Sequence, residues 1–178
     1  MKNVTLFLCD IHGTYIKNNE LVSRQEVEKL LENLEKLRII NDSEKIIFSF
    51  VSTESENIVK KYITNLQLNN NYENVEFGFQ FFEDGYFNNA EIVYDKPCGK
   101  ISQILSYLKK IQMNYKIDKI YYADDTDIYH FMLDGLLMEL LLEDKLQSII
   151  PKNTYGLEEL NSMIDEIMNS KIYTIKKY

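Results

Sequence analysis

Short runs of nearly continuous apolar residues alternate along this chain with stretches whose apolar positions recur every three or four residues. The first run, residues 4–9, holds Val4, Leu6, Phe7, Leu8 and Cys9 and reads as a strand buried on both faces, the mark of a central position in a parallel sheet. Residues 15–22 read as a flap. Ser23 and Glu26 then have capping-box spacing, and Val27, Leu30, Leu31, Leu34 and Leu37 follow as one apolar stripe, which predicts a helix. Residues 45–51 form a second strand with Ser52 and Thr53 at its tip, and Ile58, Val59, Tyr62, Ile63 and Leu66 mark the next helix.

A polar turn at Asn69, Asn70 and Asn71 leads to an aromatic-rich strand over residues 75–82, a hairpin turn at Glu83, Asp84 and Gly85, and a further strand at 92–94. Pro97, Cys98 and Gly99 break the chain before a helix containing Ile101, Ile104, Leu105, Leu108 and Ile111. Residues 119–123 form a strand that ends in Asp124, Asp125, Thr126 and Asp127. An apolar helical stretch runs from there to about residue 147, with Asp134 and Gly135 as its point of interruption. Residues 148–150 predict a short strand, 157–169 an amphipathic helix and 172–175 an edge strand.

Alternating strand and helix signals predict an α/β chain. The expected architecture is a Rossmann-like three-layer sandwich with a mainly parallel central sheet, as a single domain over residues 1–178. A chain of 178 residues has the length of one domain and can bury roughly 70% of the surface its unfolded form exposes. Its apolar runs fall short of the roughly 20 residues that span a bilayer, and the segment opening with Met1 and Lys2 lacks the pattern of a secretory signal. A cytoplasmic protein is expected. Cys9 and Cys98 have neither disulfide nor zinc spacing, and Cys9 reads as a small buried hydrophobe. The loop after Cys9 has no arginine, which speaks against thiol phosphatase chemistry. A net charge of -8 opposes unspecific attraction to nucleic acid or to anionic membrane.

The candidate chemistry lies at the strand tips, which share one edge of a right-handed parallel sheet and are where such sheets bind ligands. Asp10 ends the first strand, a hydroxyl pair the second, Lys100 opens a helix, and an acidic cluster ends a later strand. This ordered set resembles the haloacid dehalogenase-like superfamily over residues 4 to about 150. The family's DxDGT motif is matched by Asp10-Ile11-His12-Gly13-Thr14, its strand-terminal Ser or Thr by Ser52, its lysine by Lys100, and its paired acids by the strand ending in Asp124 and Asp125. Thr53 and Ser49 compete with Ser52, Lys96 with Lys100, and Asp127 with Asp125.

The resemblance implies a Mg²⁺-dependent phosphohydrolase in which Asp10 attacks phosphorus to give an aspartyl-phosphate. Mg²⁺ is then held by Asp10, the main-chain carbonyl of His12 and Asp124, with Asp125 or Asp127 as a further ligand. Ser52 and Lys100 hold the phosphoryl oxygens. Gly13 permits the tight turn and Thr14 is a turn and cap residue. His12 departs from the family pattern, which places the acid/base aspartate there; a histidine can serve as both acid and base near neutral pH. The same departure supports a second reading, a catalytically weak or inactive protein that keeps the fold and acts as a binding or regulatory module.

Only a flap and one helix separate the first two motifs, and 47 residues separate the second, at Ser52, from the third, at Lys100. The capless or minimal-cap type follows, with an open site for a phosphorylated small molecule or an exposed phosphate on a larger one. A homo-oligomer is left open. His130 has no visible partner in the sequence and reads as structural or exposed. The aromatics between Tyr72 and Tyr94 lack the interleaved basic residues of a nucleic-acid platform, and the leucine-rich run at 136–142 reads as core or subunit interface.

Overall fold

The strands β1 (Lys2–Cys9), β2 (Lys45–Phe50), β3 (Val75–Gly78), β4 (Tyr115–Ala123) and β5 (Leu146–Ile149) pair side by side, all parallel, in the order β3-β2-β1-β4-β5. The structure is a computed structural model and describes residues 1–17, 20, 22–51, 70–78, 98–150 and 156–175. β1 occupies the centre, and its residues from Val4 to Cys9 are buried, as its near-continuous apolar sequence requires. The chain steps outward from β1 through β2 to β3, then returns to the other side of β1 for β4 and β5. Right-handed crossovers in opposite directions place helices on opposite faces of the sheet, giving a Rossmann-like α/β architecture. The reversal falls between β1 and β4, so the tips of those two strands flank the crevice where such sheets bind ligands.

A bulge in β4 sets the level of the two tips. Val4 pairs with Ile117 but Thr5 with Lys119, so Asp118 is one residue more than β1 can match. Beyond it Cys9 pairs with Ala123, and the next residues of each strand, Asp10 and Asp124, stand side by side. Were Asp118 to pair with Thr5 instead of bulging, Cys9 would face Tyr122, and the two carboxylates would be out of step.

Helix α1 (Arg24–Ile40) begins where the capping spacing placed it: Ser23 is the N-cap, and its hydroxyl accepts from the Glu26 amide at 3.2 Å. The predicted stripe of Val27, Leu30, Leu31, Leu34 and Leu37 is buried. α2 (Cys98–Gln112) follows the Pro97 break, and α3 (Asp127–Leu136) follows β4. α3 tightens into a 3₁₀ turn (Leu137–Leu140) that Leu141 closes in the left-handed region, at φ 57°. Helix α4 (Leu157–Ile175) packs against α1. Among the described residues no helix is long and apolar enough to cross a membrane.

Three expectations are corrected. The helical stretch after β4 stops well before residue 147, because residues from Leu146 onward pair with β4 as a strand that starts two residues earlier than predicted. The predicted edge strand at 172–175 is the last turn of α4: no Gly or Pro breaks the helix after residue 169, and Lys171 is anchored to Asn41 Oδ1 at 2.7 Å and Tyr121 Oη at 2.6 Å. Strand propensity at Ile172, Thr174 and Ile175 is overridden by that packing. Tyr15 and Ile16 belong to the core rather than to a flap, with the Tyr15 ring set edge-on to Phe50 at 4.8 Å. The helix expected at residues 58–66, the hairpin turn at 83–85 and the strand at 92–94 lie outside the described residues.

Two buried amides tie α1 to α4. Asn33 Nδ2 donates to Asn161 Oδ1 at 3.2 Å, and Asn161 Nδ2 donates to the Glu26 carbonyl and to Glu26 Oε2, both at 2.9 Å. Asn161→Ala leaves the buried Asn33 donor without its acceptor and is expected to cost about 1–3 kcal/mol. The urea midpoint measures it, and adding Asn33→Ala should cost less than the sum of the two single changes.

Candidate active site

β1, β4 and α2 bring three charged side chains to one point beyond the sheet. Lys100, in the first turn of α2, donates to Asp10 Oδ1 at 2.7 Å and to Asp124 Oδ2 at 2.5 Å, and all three residues are buried. A lysine here is doubly disfavoured, since burial strips its hydration and a helix N-terminus carries positive partial charge. Two carboxylates reverse that balance: burial pulls the Lys100 pKa down, but Asp10 and Asp124 together hold it above the ordinary lysine value. The Tyr129 ring, 4.8 Å from Nζ, adds its π face.

Asp10 is placed by the backbone. Its amide donates to the Ala123 carbonyl at 2.8 Å, and the Val51 amide donates to the Cys9 carbonyl, so the tips of β1, β2 and β4 are laced together at this level. Burial pushes the Asp10 pKa up to about 6; Lys100 opposes the rise and Asp124 adds to it. Cys9 is fully buried, as predicted, and its Sγ donates to the Asp10 carbonyl at 3.1 Å. Burial raises the thiol's pKa, which suits packing and not nucleophilic use.

Asp124 is held more completely. Its Oδ2 accepts from Tyr122 Oη at 2.6 Å as well as from Lys100, its Oδ1 accepts from the Thr126 amide at 2.9 Å, and its carbonyl lies 2.8 Å from His130 Nε2. Sequence reasoning missed Tyr122, Tyr129 and His130 as parts of this site. Strand alternation was a usable signal for Tyr122, which shares a face with residue 124. His130 is buried and partnered through its ring, not exposed, and burial lowers its pKa.

Asp125 is exposed, yet its carboxylate joins Asp10 and Asp124 in a group whose ligand oxygens lie within 4.8 Å of one another. Gly13 makes this possible. It has φ 82°, and a Cβ built on it would collide with the Asp125 carboxylate. Asp127 is exposed in the first turn of α3, and the N-cap is Thr126. Among the described residues the metal-competent cluster contains Asp125 and not Asp127.

Three carboxylates against one ammonium leave the cluster net negative, and hard oxygen donors of this kind fit Mg²⁺, Ca²⁺ or Mn²⁺. The bare Cα of Gly13 completes the fit by admitting the third carboxylate. His12 is half-buried in the turn after β1, where it bridges Ile16. Ser49 is fully buried within β2, short of its tip. Ser52, Thr53 and Lys96 lie outside the described residues.

No protein-family model matches this chain, and no curated protein matches it. Among solved structures, it is similar to the HAD domain of effector protein Lem4 from Legionella pneumophila, at 11% sequence identity and a TM-score of 0.45, over 96% of this chain and 98% of that one.

Two outcomes follow from the site's geometry. A carboxyl whose folded pKa (about 6) exceeds its ordinary 3.8 binds its proton more tightly in the folded state. The stability from that proton is complete below about pH 4 and is lost as pH rises through about 6, roughly 3 kcal/mol in all. In chelator, Asp10→Asn should therefore raise the melting temperature at pH 7.5, with the gain over the parent vanishing near pH 4. Gly13→Ala should displace Asp125 and weaken binding of Mg²⁺ or Mn²⁺ by about tenfold or more, measured by calorimetric titration.

Proposed function

We propose that this protein is a Mg²⁺-dependent phosphohydrolase that cleaves phosphate monoesters through an aspartyl-phosphate on Asp10. The observation that carries the reading is the convergence of Asp10, Asp124 and Lys100, ninety residues and more apart at the extremes, within hydrogen-bonding distance at the tips of β1 and β4. The order of the four motifs, resembling that of the haloacid dehalogenase-like superfamily, supports it.

In this reading an Asp10 carboxylate oxygen attacks phosphorus, and the bond to the leaving oxygen breaks as the new O–P bond forms. His12, as imidazolium, gives its proton to the leaving oxygen; as imidazole, it then takes one from the water that cleaves the aspartyl-phosphate. Lys100 offsets charge on the transferring phosphoryl oxygens while balancing the carboxylates, and Ser52, matched to the family's strand-terminal hydroxyl by sequence, donates to those oxygens. Asp10, Asp124, Asp125 and the His12 carbonyl would hold Mg²⁺. The ion supplies positive charge that draws the phosphoryl group to the nucleophile.

The short intervals between motifs support a capless or minimal-cap site that accepts either a phosphorylated small molecule or an exposed phosphate on a larger one. Metal-free enzyme should turn over no p-nitrophenyl phosphate, Mg²⁺ should restore turnover, and Asp10→Asn should abolish it, by roughly 10³-fold or more. His12→Asp should retain or raise that activity, measured as phosphate release across pH. Absence of turnover by the Mg²⁺-loaded parent on a panel of phosphorylated compounds would instead support the binding or regulatory module.

A further inference from the structure

The outward side of α3 and its 3₁₀ turn carries apolar residues that the fold leaves uncovered. At 100° per residue through α3 and 120° through the 3₁₀ turn, Ile128, Phe131, Gly135, Met138 and Leu141 fall on one strip. Ile128 is 51% exposed, Phe131 79%, Met138 63% and Leu141 81%. Large apolar residues exposed singly are ordinary, but four on one strip expose on the order of 500 Å², comparable to the largest patch of a typical monomer, which is often a contact site. Leu141 strengthens the case: it holds a left-handed φ of 57° that Gly or Asn adopts with less strain, while its side chain packs on nothing in the core. Gly135 leaves low ground mid-strip, where an added Cβ would meet no atom within 4 Å.

Charge identifies the occupant. Between Lys119 and Lys145 the chain has seven carboxylates and no lysine or arginine. Helical spacing sets the exposed Asp127 and Asp134 along one side of the strip and the exposed Glu139 along the other. We propose that this strip docks a basic, apolar polypeptide segment, its apolar side chains seated around Gly135 and its lysines or arginines against the flanking carboxylates. A second copy of this chain would set like charges against one another, and an anionic bilayer would be repelled. The strip begins at Ile128, four residues after Asp124, so a segment bound here lies beside the carboxylate site. The inference goes beyond the phosphohydrolase reading and does not depend on turnover.

The test uses the full chain and a dye-labelled 15-residue synthetic peptide of leucine and lysine in amphipathic helical order, with fluorescence anisotropy as readout. A control peptide keeps the lysines and replaces leucine by glutamine. The leucine–lysine peptide should bind in the micromolar range. The control, and the parent's double variant Phe131→Ser/Leu141→Ser, should each bind about tenfold more weakly or worse. Circular dichroism verifies that the variant is folded, and Asp134→Lys/Glu139→Lys provides an independent pair that should also weaken binding. Equal affinity for the two peptides, or for parent and both variants, overturns the proposal. It is equally overturned if sedimentation shows a parent dimer that Phe131→Ser/Leu141→Ser dissociates, or if the strip binds phosphatidylcholine vesicles in preference to the peptide. Hydrolysis of p-nitrophenyl phosphate, measured in parallel, reports on the carboxylate site alone.

Discussion

A buried ammonium shared by two carboxylates joins the elements of this site. Lys100 is brought by α2, Asp10 by β1 and Asp124 by β4. Each would be unfavourable at this depth alone, because burial strips a charged group of its hydration. Lys100 offsets part of that cost for both acids at once, which couples the position of α2 to the register of the two central strands. The arrangement leaves an excess of negative charge, since Asp125 adds a third carboxylate without a second base. In the proposed reading, cation binding and the holding of an anionic phosphoryl group are complementary demands on the same few oxygen and nitrogen atoms.

The two buried acids are supported differently. Asp124 has a hydrogen bond to each oxygen from Tyr122, Thr126 and Lys100, so its orientation is determined before any ligand arrives. Asp10 is placed through its backbone and keeps Lys100 as its described side-chain partner, and burial lifts its pKa to about 6. A carboxylate that costs stability when ionised, at the tip of the central strand, fits the nucleophile of the proposed reading. Asp124 is thus fixed by its own side-chain hydrogen bonds and Asp10 by its backbone, with Gly13 making room for the third acid.

Much of the framework was legible from residue patterns. Continuous apolar runs predicted β1 and β2 because a central parallel strand is buried on both faces, and the Ser23–Glu26 spacing located the start of α1 because capping is local chemistry. Asp10, Lys100 and Asp124 were identified by residue type and order. The failures came where long-range contacts decide. Residues 172–175 have strand-forming side chains yet continue α4, and Tyr15 looks like flap sequence yet fills the core.

By itself the sequence determined the alternation of strand and helix, the centrality of β1 and the chemical identity of the charged groups at the strand tips, since these depend on side-chain periodicity and local backbone preference. Tertiary structure alone decided that Asp118 bulges out of β4 and brings Asp10 level with Asp124, that Asp125 and not Asp127 joins them across Gly13, and that Tyr122 and His130 brace the acid between them. Those outcomes depend on register and on contacts between residues distant along the chain, where a shift of one position exchanges one face of a strand for the other.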